Sequence, residues 1–423
     1  MSYDTGLSGL QAAANDLDVI GNNIANADTV GFKTGEAVFA DMYANSLASS
    51  SANQIGIGVN MTTVENDFST GTFTSNGNPY DVAINGNGFF VVSNNGSLAY
   101  TRDGQFQTNA QNVITTLSGQ PLMGYPVGAS GTSDASQMVP LSIAQYQNLP
   151  PQPTTSVGWS FNLDPADTPP TVTPFDPTNS STYNYPTSVT VFDSNGSPHT
   201  LDIYFAATST PGQWNAYLGS SDPTTTVSTG TGTGSSFTSL GPVTFNSAGV
   251  MTSPASSTFA VNMDTTNGSV SPQPITLNLA GTTGYGGVAD AVTGIQPNGY
   301  PASTFSSISI SPTGQVTANY SNTEYGSSGS QVIGQVALAT FNDPNGLNNL
   351  GGNLYQQTSE SGDAKINEPG SGGTGDLLDG DEEESNVDLT SQLVDLITAQ
   401  RNYQANAQTI KTQQTIDQSI LNL

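Results

Sequence analysis

The run Leu10-Gln11-Ala12-Ala13-Ala14-Asn15-Asp16-Leu17-Asp18-Val19-Ile20-Gly21-Asn22-Asn23-Ile24-Ala25-Asn26-Ala27 decides how the rest of the chain is read. Leu10, Leu17 and Ile24 recur every seven residues, and Ala13, Ile20 and Ala27 repeat that interval three residues later. This spacing predicts a helix with a narrow apolar seam of the coiled-coil kind. Gly6 and Gly9 weaken its start, and Gly31 closes the pattern. The other end of the chain has the same design. Leu389, Leu396, Tyr403 and Ile410 lie seven apart, Leu393 and Ala407 complete the seam, and Ile416 and Ile420 continue it. Ser385-Asn386-Val387-Asp388 resembles a capping box, and neither Gly nor Pro interrupts 388–423. Neither stripe is wide enough to organise a globular core. Each helix is expected to need a helical partner, and 1–30 is expected to pair with 386–423.

Between the ends the texture is β. Asn-Gly recurs at Asn76-Gly77, Asn85-Gly86, Asn87-Gly88, Asn95-Gly96, Asn195-Gly196, Asn267-Gly268, Asn298-Gly299 and Asn345-Gly346. The pair tolerates positive φ at both centres of a type I′ turn, so it signals hairpins. Phe89-Phe90-Val91-Val92 before Asn95-Gly96, and 188–192 and 201–205 around Asn195-Gly196, are the flanking strand candidates. The expected fold is mainly β with α-helical termini: nested β-sandwich or barrel-like modules between two helices that pair as a coiled coil. Pro-rich stretches at 149–153 and 164–177 and the segment 284–300 suggest the boundaries. They give an outer β module over 150–298, inserted into an inner one made of 71–148 and 299–359. Segments 31–70 and 360–385 are then linkers to the helices.

Composition removes whole classes of function. The 423 residues hold 33 acidic and 5 basic side chains, a net charge of −28, yet only 9% are charged against about 25% in ordinary domains. Five scattered bases cannot track phosphates, which argues against nucleic acid and anionic lipid as partners. Cysteine is absent and His199 is the only histidine, so thiolate chemistry and His- or Cys-rich metal sites fall away. No catalytic, cofactor or metal residues are expected. The start of the chain lacks the basic and apolar regions of a signal peptide. The most apolar internal stretch, 332–341, is far short of a bilayer span, so no membrane insertion is expected.

Several separated motifs, in order, resemble those of flagellar rod and hook proteins. At the N-terminus these are Ser8-Gly9-Leu10-Gln11-Ala12-Ala13, then 17–26, then Thr29-Val30-Gly31-Phe32-Lys33. At the C-terminus they are Glu384-Ser385-Asn386-Val387-Asp388-Leu389 and 399–409. Gly88-Phe89-Phe90 and Tyr100-Thr101-Arg102-Asp103-Gly104-Gln105-Phe106 are similar to the shared β module, with Asn112 where the pattern has Gly. Phe39-Ala40-Asp41-Met42-Tyr43, 188–196 with His199-Thr200-Leu201, and 342–347 with 351–355 fit hook subunits best. The resemblance implies a structural homopolymer, part of the extracellular flagellar hook and exported without a cleaved signal peptide. It also implies a tube whose channel the helices line, acting as a universal joint that transmits torque. The implied partners are the distal rod protein, the hook cap protein, the hook–filament junction protein and the flagellar export apparatus; no cofactor is implied. Because short amphipathic helices are marginal alone, the ends are expected to be largely disordered before polymerisation.

Particular side chains carry sharper expectations. The seam residues Leu10, Ala13, Leu17, Ile20, Ile24, Leu389, Leu393, Leu396, Tyr403, Ala407 and Ile410 are the candidate assembly positions. Arg401 is expected to pair with Asp16 or Asp18, in the same subunit or the next. Asp376, Asp379, Asp381 and Glu382-Glu383-Glu384 read as a solvated linker before a helix, and 29–33 as a flexible link. Two other readings stay open: a distal rod protein, against which the size of the central insertion argues, and a secreted β-rich glycan-binding protein or carboxylate-dependent glycosidase.

Overall fold

The computed structural model describes residues 3–43, 56–127, 133–134, 137–229, 236–321 and 330–421. Two compact units divide the chain: one holds Met1–Ala144, Ile308–Thr317 and Val332–Leu423, the other Gln145–Ser307 and Ala318–Gln331. The second is thus inserted in the first along the sequence. Its boundaries differ from 150–298, because residues 318–331 return to it.

In the first unit, helix α1 (Tyr3–Ala25) and helix α2 (Leu389–Leu421) have 23 and 33 residues, about 35 and 50 Å at 1.5 Å per residue. Segment 31–70 is not a plain linker. It forms an antiparallel hairpin, β1 (Gly35–Tyr43) with β2 (Gly56–Asn66), whose register shifts after Val38 and after Met42. Such bulges bend and twist a two-stranded ribbon. A six-stranded sheet follows, in the order Asn348–Gly351, Leu354–Gln356, Ser97–Thr101, Phe89–Asn94, Leu338–Thr340, Lys365–Asn367. Asn95 and Gly96 join its central hairpin with φ of 51° and 87°, the two positive values expected of a type I′ turn. Asn112, standing in place of Gly, takes φ 58° as asparagine can. Phe68, Phe89, Tyr355 and Phe341 meet edge to face at 5.3–5.9 Å and close the core with Val91, Tyr100 and Leu347. Segment 360–385 is also ordered into strands: Asp376–Asp379 pairs with Val82–Asn85, and Asp381–Glu383 with Phe73–Ser75.

The second unit is a sandwich of two five-stranded sheets. One runs Tyr185–Phe192, Pro198–Ala207, Gln213–Gly219, Phe237–Phe245, Met251–Ser253; the other contains Ser156–Asn162 between Gln273–Asn278 and Ala291–Pro297. Alternation along Ser156–Asn162 turns Val157, Trp159 and Phe161 inward to meet Ile203, Phe205 and Trp214 of the facing sheet. Both tryptophans of the chain lie in this core. Asn195-Gly196 is not a two-residue turn here, since Phe192 pairs with Pro198. Asp193 instead builds a longer loop, its Oδ1 accepting from the Asn195 and Ser197 amides at 2.8 and 2.9 Å.

His199 is buried beside that loop. Its Nε2 lies 3.1 Å from Asp193 Oδ2 and its Nδ1 2.9 Å from Asp222 Oδ2. Thr225 Oγ1 is 2.7 Å from Nδ1, and Asn267 Nδ2 donates to Asp193 Oδ2. Side-chain oxygens thus meet the ring at both nitrogens. The one histidine is therefore a structural clasp joining loops from both sheets.

Candidate assembly surface: the paired terminal helices and their anchor

Helices α1 and α2 run antiparallel. Gly6 faces Ile410, Gly9 faces Asn406, and Asn23 Nδ2 donates to Gln392 Oε1 at 3.0 Å. Gly9 permits the approach, because a Cβ there would stand 2.8 Å from Asn406 Oδ1. The two glycines that weaken the helix start by propensity thus both face α2 side chains. Asn23 is buried and doubles as a bracket, exchanging hydrogen bonds with Gly35 at the start of β1 (Nδ2 to O 2.8 Å, N to Oδ1 3.0 Å).

The seam residues differ in burial between the two helices. On α1, Ala13 and Ile20 are buried and Leu10, Leu17 and Ile24 half-buried, as the heptad requires. On α2, Leu396, Ala407 and Ile410 are half-buried, but Leu389, Leu393 and Tyr403 are 43, 49 and 38% exposed. The line facing α1 is set three residues on, at Gln392, Ala399 and Asn406: Ala399 is buried, and the other two touch Asn23 and Gly9. Small and polar residues there allow close helix approach. The bulkier apolar line, with Val394 and Ile397, is left outward.

The helix cap differs from the one expected, and the expected Arg401 pair is not formed within one chain. Asp388, rather than Ser385, caps α2, its Oδ1 accepting the Thr390 amide at 2.9 Å while Oδ2 takes the Ser391 hydroxyl at 3.0 Å. These bonds hold its carboxyl below the ordinary aspartate value. Arg401 is exposed and forms no ion pair with Asp16 or Asp18 of its own chain. Asp18 is exposed. Asp16 is half-buried at a 490 Å³ cavity with Glu36 and Asp395. Burial first, then Asp395 and Glu36, push its carboxyl up.

Lys33 of the expected flexible link and Glu383 of the expected solvated acidic run are instead drawn into one buried anchor. Lys33, Arg102 and Glu383 are each 2% exposed. Lys33 Nζ donates to Glu383 Oε1 and to the Ser69 carbonyl, both at 2.6 Å, and Arg102 Nη1 reaches Glu383 Oε2 at 3.3 Å. The Gly71 amide adds a bond to Oε1 at 3.0 Å, and the Gly31 amide one to the Glu383 carbonyl at 2.8 Å. Burial lowers the Lys33 ammonium below the ordinary lysine value, with Glu383 opposing, and acts likewise on Arg102. Nearby, Asn386 Oδ1 takes the Thr34 amide and hydroxyl at 2.8 Å and its Nδ2 donates to the Asp67 carbonyl. The exit of α1 and the entry of α2 are pinned at one place.

Gly31 sits in this anchor with φ 68°, where a Cβ would lie 2.7 Å from the backbone of Arg102 and Asp103. Gly31→Ala is expected to cost about 1–3 kcal/mol through the left-handed backbone alone, before any clash. Chemical denaturation followed by ellipticity reads this; a change within about 0.5 kcal/mol, typical of a neutral surface site, would refute it.

Known proteins match this arrangement along the chain. Family models described as Flagella basal body rod protein and Flagellar basal body rod FlgEFG protein C-terminal match residues 4–33 and 379–423. Flagellar hook protein FlgE/F/G D1 domain matches 83–149, and Flagellar basal body protein FlaE D2 domain matches 162–300. Flagellar hook protein FlgE of Escherichia coli (strain K12) is 39% identical over 430 residues, covering 100% of both chains. The chain belongs to the flagellar hook protein family. The hook proteins FlgE of Salmonella typhimurium and Treponema pallidum are 38 and 31% identical, again over 100% of this chain. A crystal structure of Helicobacter pylori flagellar hook protein FlgE2 aligns with 72% of this chain and 98% of its own, at 15% identity and a TM-score of 0.48. Hook membership decides against both the distal rod and the glycan-binding readings. The signature stretches at the two ends of this hook protein meet at the Glu383 anchor: 4–33 supplies Lys33 and 379–423 supplies Glu383.

Proposed function

We propose that the chain is a non-catalytic subunit that assembles with copies of itself into the tubular hook, using the terminal helices as its principal contact. The observation that carries this is the uncovered apolar surface of α2: Leu389, Leu393, Val394, Ile397, Ile416 and Ile420 are 43–64% exposed. Fully burying one such side chain is worth about 1.5–3 kcal/mol, so covering the exposed halves of six would supply several kcal/mol per subunit. In such a polymer the helices line the channel, and Arg401 meets Asp16 or Asp18 of the next copy. The β units form outer layers whose Ser-, Thr- and Asn-rich surfaces exchange hydrogen bonds at low net cost as the tube bends. The polymer acts as a joint carrying torque outside the cell. The distal rod, hook cap, hook–filament junction and export apparatus are its partners.

The double variant Leu393→Asn/Val394→Asn is expected to abolish assembly while leaving both units folded, since both side chains are about half exposed in the single chain. Sedimentation and electron microscopy of purified chain under polymerising conditions are the check. Tubes of unchanged yield would refute helix-driven assembly.

A further inference from the structure

The eight Asn-Gly pairs carry a second chemistry besides the turns they favour. Asparagine is a thermolabile residue, and glycine after it removes the side chain that would hinder attack. The glycine nitrogen gives up its proton to water or hydroxide and attacks the asparagine Cγ. The new C–N bond closes a succinimide, the side-chain nitrogen leaves as ammonia, and water then opens the ring at either carbonyl. In sum, asparagine and water become ammonia and either aspartate or isoaspartate. The reaction needs an untied side-chain amide, a glycine N–H without a partner, and a backbone free to rotate until the two meet.

The fold withholds at least one of these from most of the pairs. Asn76 Nδ2 donates to Asp81 Oδ2 at 2.7 Å, and the Gly77 amide to the Gly380 carbonyl at 3.1 Å. The Gly196 and Gly346 amides donate to the carbonyls of Asp193 and Asp343 at 3.0 and 3.2 Å. Asn267 Oδ1 accepts the Ser269 amide at 3.1 Å while its Nδ2 holds Asp193. Asn298 Oδ1 accepts the amides of Thr155 and Ser156, both at 2.9 Å. Around Asn85 and Asn87 the backbone is fixed. There the Gly86 carbonyl accepts from Arg102 Nη2 at 2.8 Å, and the Asn87 carbonyl from the Gly375 amide at 2.7 Å.

Asn95-Gly96 is free on every count. Both residues are exposed. Among the described residues no group bonds to the Gly96 amide or to Asn95 Oδ1, and Asn95 Nδ2 reaches only its neighbour Asn94 Oδ1, at 3.2 Å. A Cβ on Gly96 would meet nothing within 4 Å, so the turn has room to move. It has to move, because the Gly96 nitrogen reaches Cγ only after Asn95 turns out of its type I′ conformation. The pair that closes the turn is Asn94 with Ser97, one half-buried and the other exposed. Opening it uncovers no buried apolar side chain, which places it at the low-cost end of local unfolding.

We propose that Asn95 is a self-modification site, the position at which the folded chain deamidates first, with water as the co-reactant. The reaction needs no polymer and no second copy. Each event adds a carboxylate to a chain already at −28, and isoaspartate also puts a methylene into the backbone of a turn that sets strand register.

The full chain, dilute and unassembled, is held in warm, mildly alkaline buffer, sampled over time and digested at acidic pH for peptide mass spectrometry. The peptide carrying Asn95 is expected to convert from amide to acid several-fold faster than any peptide carrying another Asn-Gly pair. An isoaspartyl methyltransferase should label that same peptide. In chain unfolded by urea every pair is unrestrained, and the lead of Asn95 is expected to vanish. Another Asn-Gly pair converting first in the folded chain overturns the assignment. So does an Asn95 that stays intact while the urea-unfolded pairs convert. A lead that survives unfolding overturns it as well, since neighbouring sequence and not the fold would then be the cause.

Discussion

Glu383→Gln is expected to destabilise the first unit by about 3–5 kcal/mol, the usual consequence of removing one partner of a buried ion pair. The side chain keeps its shape but loses its charge. Glu383 presents Oε1 to Lys33 Nζ at 2.6 Å and to the Gly71 amide at 3.0 Å, and Oε2 to Arg102 Nη1 at 3.3 Å. Glutamine has one carbonyl oxygen for these donors and turns an NH2 group against one of the cations. Two charges then remain inside with nothing to balance them. The two tryptophans belong to the second unit, which makes the experiment selective. Urea denaturation should show the far-UV ellipticity of the helices lost at lower denaturant, while the tryptophan emission transition stays where it was. A loss under about 1 kcal/mol would mean that the anchor is surface-like.

His199→Ala is expected to produce the converse pattern, destabilising the second unit by about 3 kcal/mol. The tryptophan transition should move and the helical ellipticity should hold. Asp193 is fully buried and loses the donor at its Oδ2, keeping Asn267 and the loop amides. The acid limb gives a second reading. Burial alone would raise the Asp193 carboxyl, but hydrogen bonds from Asn267, His199, Ser197 and Asn195 bring it down to about 2. A carboxyl depressed in the folded state stabilises above its unfolded value near 3.9, and that stability is lost as pH falls toward the folded value. The native unit should therefore weaken between about pH 4 and pH 2, and the variant, whose Asp193 carboxyl is less depressed, should lose less stability over that range. If the tryptophan midpoint and its acid limb are both unmoved, the clasp contributes nothing.

The parts of this molecule written in local pattern were legible beforehand. Seven-residue recurrence located both helices, and Asn95-Gly96 located a hairpin because its two centres need the positive φ that the pair supplies. The face of α2 was misassigned for a physical reason. A helix with two apolar lines does not announce which one meets the partner in its own chain, and here glycines at 6 and 9 favoured the small and polar line. Glu383 was hidden in an acidic run. Its neighbours Glu382 and Glu384 bind exposed Asn76 and the hydroxyls of Thr72 and Thr74, as a solvated strand would. Burial of the middle acid depends on Lys33 and Arg102, which stand hundreds of residues earlier, so no short window of sequence contains the reason.

That separation bears on how the subunit is made. A ribosome delivers Lys33 and Arg102 long before Glu383, and until the last segment emerges both cations stay hydrated with no reason to become buried. Asn23 likewise waits for Gln392, and Thr34 for Asn386. The nascent terminus cannot close these contacts before their C-terminal partners are made. Closure of the anchor is therefore a late event, open to the chain only once residue 383 has been made.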